Sequence, residues 1–184
     1  KTKLIIVCLC ALFISSCSQA ETSKPGTTSS ANAPETSNGS AKIETSTKAP
    51  PADVVRVETP SVEIKAGSSG EATVKLTIAS GYHINANPPS FPYLKETELQ
   101  IEPSAGITPG QPVYPSSVTR KFAFSKDPLA VYEGETAIKL PLSAAGNAQK
   151  GAQTLRGKVR VQACDEEACY PPRTIETSIP VTVK

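Results

Sequence analysis

Between residues 53 and 184 apolar and polar side chains alternate with a period of two. Val74, Leu76 and Ile78 are interleaved with Thr73, Lys75 and Thr77, and Ile138, Leu140 and Leu142 repeat the pattern. Val159, Val161 and Ala163 alternate with Lys158, Arg160 and Gln162, while Ile175, Ile179, Val181 and Val183 keep the odd positions near the C-terminus. Successive side chains of a strand point to opposite faces, so each run predicts an antiparallel strand with one buried and one solvated face. Shorter strands are predicted near Val54–Val57, Val62–Lys65, Glu98–Glu102 and Leu129–Tyr132. Gly and Pro fall between these runs, at Gly67 and Gly70, Pro88-Pro89, Pro103 to Pro115, Gly146 to Gly151 and Pro171-Pro172. No stretch repeats with the helical period of about 3.6.

Short strands at this spacing predict an all-β fold, an immunoglobulin-like antiparallel β-sandwich, in one domain over residues 53–184. The immunoglobulin Cys…Trp…Cys signature is absent, because the chain has no Trp. Only the architecture carries over.

The residues before this domain follow other rules. Lys1 and Lys3 precede a short apolar stretch from Leu4 to Ile14, followed by Ser15-Ser16-Cys17. The stretch is too short for a permanent membrane helix, which needs about 20 residues. Residues 1–17 therefore read as a bacterial lipoprotein signal, with Cys17 as the lipidated residue, the alternative being an ordinary signal cleaved after Ala20. Ser18 stands where an Asp would retain the protein at the inner membrane, so an outer-membrane anchor facing the periplasm is expected. Residues 18–52 are rich in Ser, Thr, Pro, Ala, Gly and Asn and carry almost nothing apolar. Such a segment cannot offset its ordering entropy and reads as a disordered tether with an r.m.s. span of roughly 30–35 Å. Within residues 53–184, 14 Lys and Arg balance 14 Asp and Glu without basic clustering. Nucleic acid is thereby excluded as an expected partner.

Five cysteines are present, and Cys8, Cys10 and Cys17 belong to the leader. Cys164 and Cys169 remain, in the run Val-Gln-Ala-Cys-Asp-Glu-Glu-Ala-Cys-Tyr-Pro-Pro that ends at Pro172. A strand over Val159–Ala163 running into Cys164, and Pro171-Pro172 after Cys169, place both cysteines at the end of a hairpin. An oxidising compartment lets them form a disulfide. As a structural clip it would close a loop of about six residues and stabilise by roughly 2 kcal/mol; a bridge spanning 60 residues would give roughly 4. As a working dithiol it would need one sulfur open to a partner's thiolate. The acidic loop Asp165-Glu166-Glu167 disfavours a thiolate, so the pair reads as a disulfide awaiting attack or a dithiol activated inside a complex. A third reading is a copper site using Cys164, Cys169 and His83. His83, the single histidine of the chain, has no partner nearby in sequence and reads first as a surface or packing residue.

The cysteine run resembles the active-site hairpin of the N-terminal periplasmic domain of the thiol:disulfide interchange protein DsbD. Gly81-Tyr-His-Ile-Asn85 and Val131-Tyr-Glu-Gly-Glu135 fit the same family, and the resemblance covers about residues 55–184. It implies an immunoglobulin-like sandwich that receives electrons from a membrane-embedded thiol–disulfide donor and passes them to periplasmic thioredoxin-fold proteins. It implies that Cys169 forms the mixed disulfide and Cys164 resolves it, with no bound cofactor and no metal. It also implies an aromatic cap, for which Phe122 and Phe124 stand in place, with Tyr82 and Tyr170 as further aromatics near the site. The alternative for both phenylalanines is ordinary packing on a strand. The family's full-length member continues into eight membrane helices and a thioredoxin domain. Here a stand-alone lipoprotein with a separate electron donor is expected. The four residues between the cysteines are also fewer than in the family's best-known members. The rival from another class is a non-catalytic binding sandwich on a lipid anchor, with the cysteines as a clip.

Overall fold

The computed structural model describes residues 50–184, and the expected signal, Cys17 and nearly all of the tether lie outside them. Every regular element among the described residues is a strand. The first sheet has the order β1 (Val55–Glu58), β3 (Ser69–Ile78), β9 (Glu135–Ala144), β6 (Ile107–Pro109). The second has β2 (Val62–Ile64), β12 (Arg173–Val183), β10 (Gly151–Val161), β5 (Glu98–Ile101). The third has β11 (Ala163–Cys164), β4 (His83–Asn85), β8 (Leu129–Tyr132), β7 (Val118–Arg120).

The first two sheets form the sandwich. Val74 and Leu76 of β3, Ile138, Leu140 and Leu142 of β9, Leu155 and Val159 of β10, and Ile179 and Val181 of β12 share one buried cluster. Apart from Leu155, these are residues whose alternation predicts the strands, and the all-β immunoglobulin-like expectation matches the fold. One register feature departs from it. The β2–β12 pairing is parallel, with Val62 opposite Val181. Gly157 in β10 lies so close to β5 that a Cβ there would collide with the Gln100 carbonyl oxygen.

Three strands escape the alternation. All three residues of β4 are buried, so the strand has no wet face to betray it. β6 lies inside the Pro- and Gly-rich run read as punctuation, and β7 is exposed throughout. The strand expected to run unbroken into Cys164 stops at Val161 and resumes at Ala163 in another sheet. Gln162 lies at the break and is buried rather than on the predicted wet face. The chain thus leaves the sandwich just before the cysteines and builds the third sheet around them.

Candidate functional site

Cys164 and Cys169 form a disulfide, with Cα atoms 4.0 Å apart. They close the tip of a hairpin whose loop is Asp165 to Ala168. The Asp165 amide donates to the Ala168 carbonyl, and the Tyr170 amide donates to that of Ala163. Asp165 organises the loop: its Oδ1 accepts from the amides of Glu167 and Ala168, both at 2.9 Å. Asp is suited to this position because its short carboxylate reaches the backbone two and three residues on. The Tyr170 hydroxyl donates to the other oxygen, Oδ2. Burial works against the Asp165 charge, but the Tyr170 hydroxyl and the loop amides outweigh it and hold the carboxyl below its ordinary value. The same hydrogen bond pushes the Tyr170 hydroxyl up to about 12. A fixed negative charge therefore stands on the residue adjoining Cys164, and it opposes thiolate formation.

Gln162 ties the hairpin to its surroundings. Its Oε1 accepts from the Asn85 side chain and from the Lys95 amide, and its Nε2 donates to the Tyr170 carbonyl, each at 3.1 Å. One buried amide thus joins β4, the segment before β5 and the residue following Cys169.

The third sheet has two distinct faces. Ala163, Ile84 and Tyr132 lie side by side across β11, β4 and β8, and all three belong to the main core. Their neighbours in sequence point the other way. Cys164 stands directly opposite His83, and Asn85 opposite Val131. Val131 belongs to a second, smaller cluster with Leu94, Phe122 and Leu129. The disulfide and His83 therefore occupy the face covered by this satellite cluster.

Phe122 lies on the imidazole of His83 with ring centroids 3.9 Å apart and planes within 14°. Phe124 stacks in turn on Phe122 at 5.3 Å. The two rings are not on a strand: β7 ends at Arg120, and Phe124 lies in a turn. His83 is 2% exposed, Cys164 0% and Cys169 1%, so neither sulfur is open to a partner in this state. Tyr82 and Tyr170 approach each other at 6.3 Å. Tyr82 also lines a cleft with His83, Glu133 and Glu166.

His83 has an unusual environment. Its Nε2 is buried without a hydrogen-bond partner, a situation that costs about 1–3 kcal/mol. Burial lowers its pKa from 6.5 to about 4, although the charges of Glu133 and Asp165 pull it upward. The imidazole is neutral at neutral pH. His83 is buried and packed against Phe122, and in the sheet it stands opposite Cys164, a residue distant in sequence. No local signal marks that pairing. The loop role of Asp165 was available in sequence as an Asp opening a tight turn. The copper reading needs Cys164, Cys169 and His83 as donors. Among the described residues no group of three or more His, Cys, Asp or Glu is arranged to hold a metal ion.

The fold and this hairpin define an immunoglobulin-like β-sandwich domain that carries one short-range disulfide beside a buried histidine. The chain belongs to the family described as thiol:disulfide interchange protein DsbD, N-terminal, whose model matches residues 51–180. Two solved structures are similar. The N-terminal domain of Neisseria meningitidis DsbD, in its reduced form, is 21% identical with a TM-score of 0.49, covering 72% of this chain and 90% of that one. The N-terminal periplasmic domain of ScsB from Proteus mirabilis is 14% identical with a TM-score of 0.50, covering 73% of this chain and 49% of that one. This chain thus spans about half of the ScsB chain it matches. No curated protein matches the sequence.

Proposed function

We propose that this domain is a periplasmic thiol–disulfide exchange module that cycles Cys164 and Cys169 between dithiol and disulfide. It takes electrons from a membrane-embedded thiol–disulfide donor and passes them to periplasmic thioredoxin-fold proteins. The observation that carries the reading is the disulfide at the tip of a hairpin that has left the sandwich core, in a chain of the DsbD N-terminal family. A clip there adds little to a domain whose main cluster already joins both large sheets.

In the reduced protein, Cys169 attacks the acceptor's disulfide and forms the mixed disulfide. Cys164 then attacks Cys169 Sγ, re-forms the intramolecular disulfide and expels the acceptor thiolate. Phe122 and Phe124 act as a cap that partners displace, and Tyr82 and Tyr170 form its rim. No cofactor enters the cycle. Residues 1–17 supply a lipoprotein signal with Cys17 acylated, and residues 18–52 tether the domain at the periplasmic face of the outer membrane.

One observation favours a second reading, a structural clip in a binding module: both sulfurs are buried. The reduction potential separates the two. A value of roughly −180 to −270 mV supports exchange, and one below about −300 mV marks a structural disulfide.

A further inference from the structure

We propose that His83 is the proton acceptor for the Cys164 thiol, enabling this buried cysteine to resolve the mixed disulfide. The proposal rests on the exchange reading above and adds a residue to it.

Directly opposed residues of an antiparallel pair hold their Cβ atoms about 4.5–5.5 Å apart on one face of the sheet. His83 and Cys164 are such a pair, and Cys169 bridges Cys164 from the other side. One row thus runs Cys169, Cys164, His83. The β4–β8 ladder pairs Ile84 with Tyr132, and continued by one residue it sets Glu133 beside His83 at the end of that row.

The second observation is the unpartnered Nε2 of a side chain that is 98% buried. Buried polar atoms are nearly always satisfied, and one that is not calls for a reason. In the disulfide state the sulfurs carry no proton to share. Reduction creates two S–H groups, one of them on the residue facing His83. A thiol is thereby created on the strand residue opposite the unpartnered imidazole, in the redox state that must lose a proton.

Water is a poor alternative. Cys164 has no exposed surface, and Phe122 covers the imidazole. A thiol in such surroundings is held protonated by burial, so a base within the fold is needed. The groups facing His83 are Glu133, the residue just after β8, itself paired with Arg120 of β7, and Asp165 and Glu166 from the hairpin. The loop above presents the uncharged rings of Phe122 and Phe124. The lowered pKa keeps the imidazole free to accept, and a thiolate forming beside it supplies the counter-charge that burial withholds.

The step balances. The Cys164 S–H bond breaks and its proton moves to His83. The Cys164 thiolate forms the bond to Cys169 Sγ while the bond from Cys169 to the acceptor sulfur breaks. The electron pair leaves on the acceptor thiolate, which takes a proton from the imidazolium.

The test is stopped-flow reaction of the reduced protein with excess dithiobis-nitrobenzoate, which releases one coloured thiolate on attack and a second on resolution. His83→Gln should slow the second release roughly 100-fold at neutral pH and change its pH profile, leaving the first release unaffected. An unchanged second release overturns the proposal. Should the variant fail to fold, the single histidine of the wild-type chain can be titrated by NMR in both redox states. Reduction should shift its apparent pKa by about one unit or more, and identical titrations overturn the proposal. A wild-type protein that gives no second release defeats the exchange reading itself, and the role of His83 with it. A wild-type protein that resolves normally beside an unaffected His83→Gln defeats only the latter.

Discussion

His83 and Cys164 face each other across a two-residue antiparallel pairing, on the side of the third sheet turned away from the main core. Cys164 adjoins Asp165, whose charge opposes thiolate formation, and faces an imidazole removed from solvent.

The buried histidine makes stability depend on pH. Its pKa is near 4 in the folded protein and 6.5 when exposed, so the unfolded chain binds the proton first. Its contribution to stability is complete above about pH 6.5 and is lost as pH falls to about 4, up to about 3 kcal/mol. Urea denaturation across this window should show the loss in the wild type, and His83→Gln should flatten it.

Phe122→Ala removes the ring that seals the imidazole. The small cluster should lose about 3 kcal/mol, and His83, regaining water, should titrate closer to 6.5. Reduction of the disulfide by a small phosphine should accelerate several-fold, measured by thiol trapping. Unchanged accessibility would mean that Phe122 serves packing alone.

Asp165→Asn replaces the carboxylate that holds the Tyr170 proton. The Tyr170 hydroxyl should fall from about 12 toward 10, visible as phenolate absorbance at lower pH in an ultraviolet titration. With the negative charge gone, both thiols of the reduced protein should alkylate faster at a given pH.

Cys164→Ser with Cys169→Ser opens a loop of about six residues and should cost about 2 kcal/mol in urea denaturation. All transfer of electrons to a thioredoxin-fold acceptor should be lost with it. A doubly substituted protein that retained its function in full would be a binding module.

Gly157→Ala tests the sandwich rather than the site. A Cβ there collides with the Gln100 carbonyl and Ile101 Cδ1, so β5 must move. A loss of about 1–3 kcal/mol is expected in thermal or urea unfolding.

The sandwich was legible in the chain because its strands have one buried and one solvated face. Val74, Leu76 and Ile78 could be read as core without a structure, and β8 falls on the residues foreseen, Leu129–Tyr132. The cysteine hairpin was legible because turn and Pro residues delimit it locally. The third sheet was not. β4 is buried on both sides and carries no alternation, and β7 is exposed throughout. Gln162 was misread because alternation assumes an unbroken strand, and the chain changes sheets at that residue.

By itself, then, the sequence determined which residues alternate, where the chain turns and which two thiols can meet, since these follow from local periodicity and short loops. Tertiary structure alone decided that His83 stands opposite Cys164 and that Phe122 covers the imidazole. Pairings between distant strands leave no mark on local sequence, and burial, which removes the imidazole's solvent, exists only once the sheets have assembled.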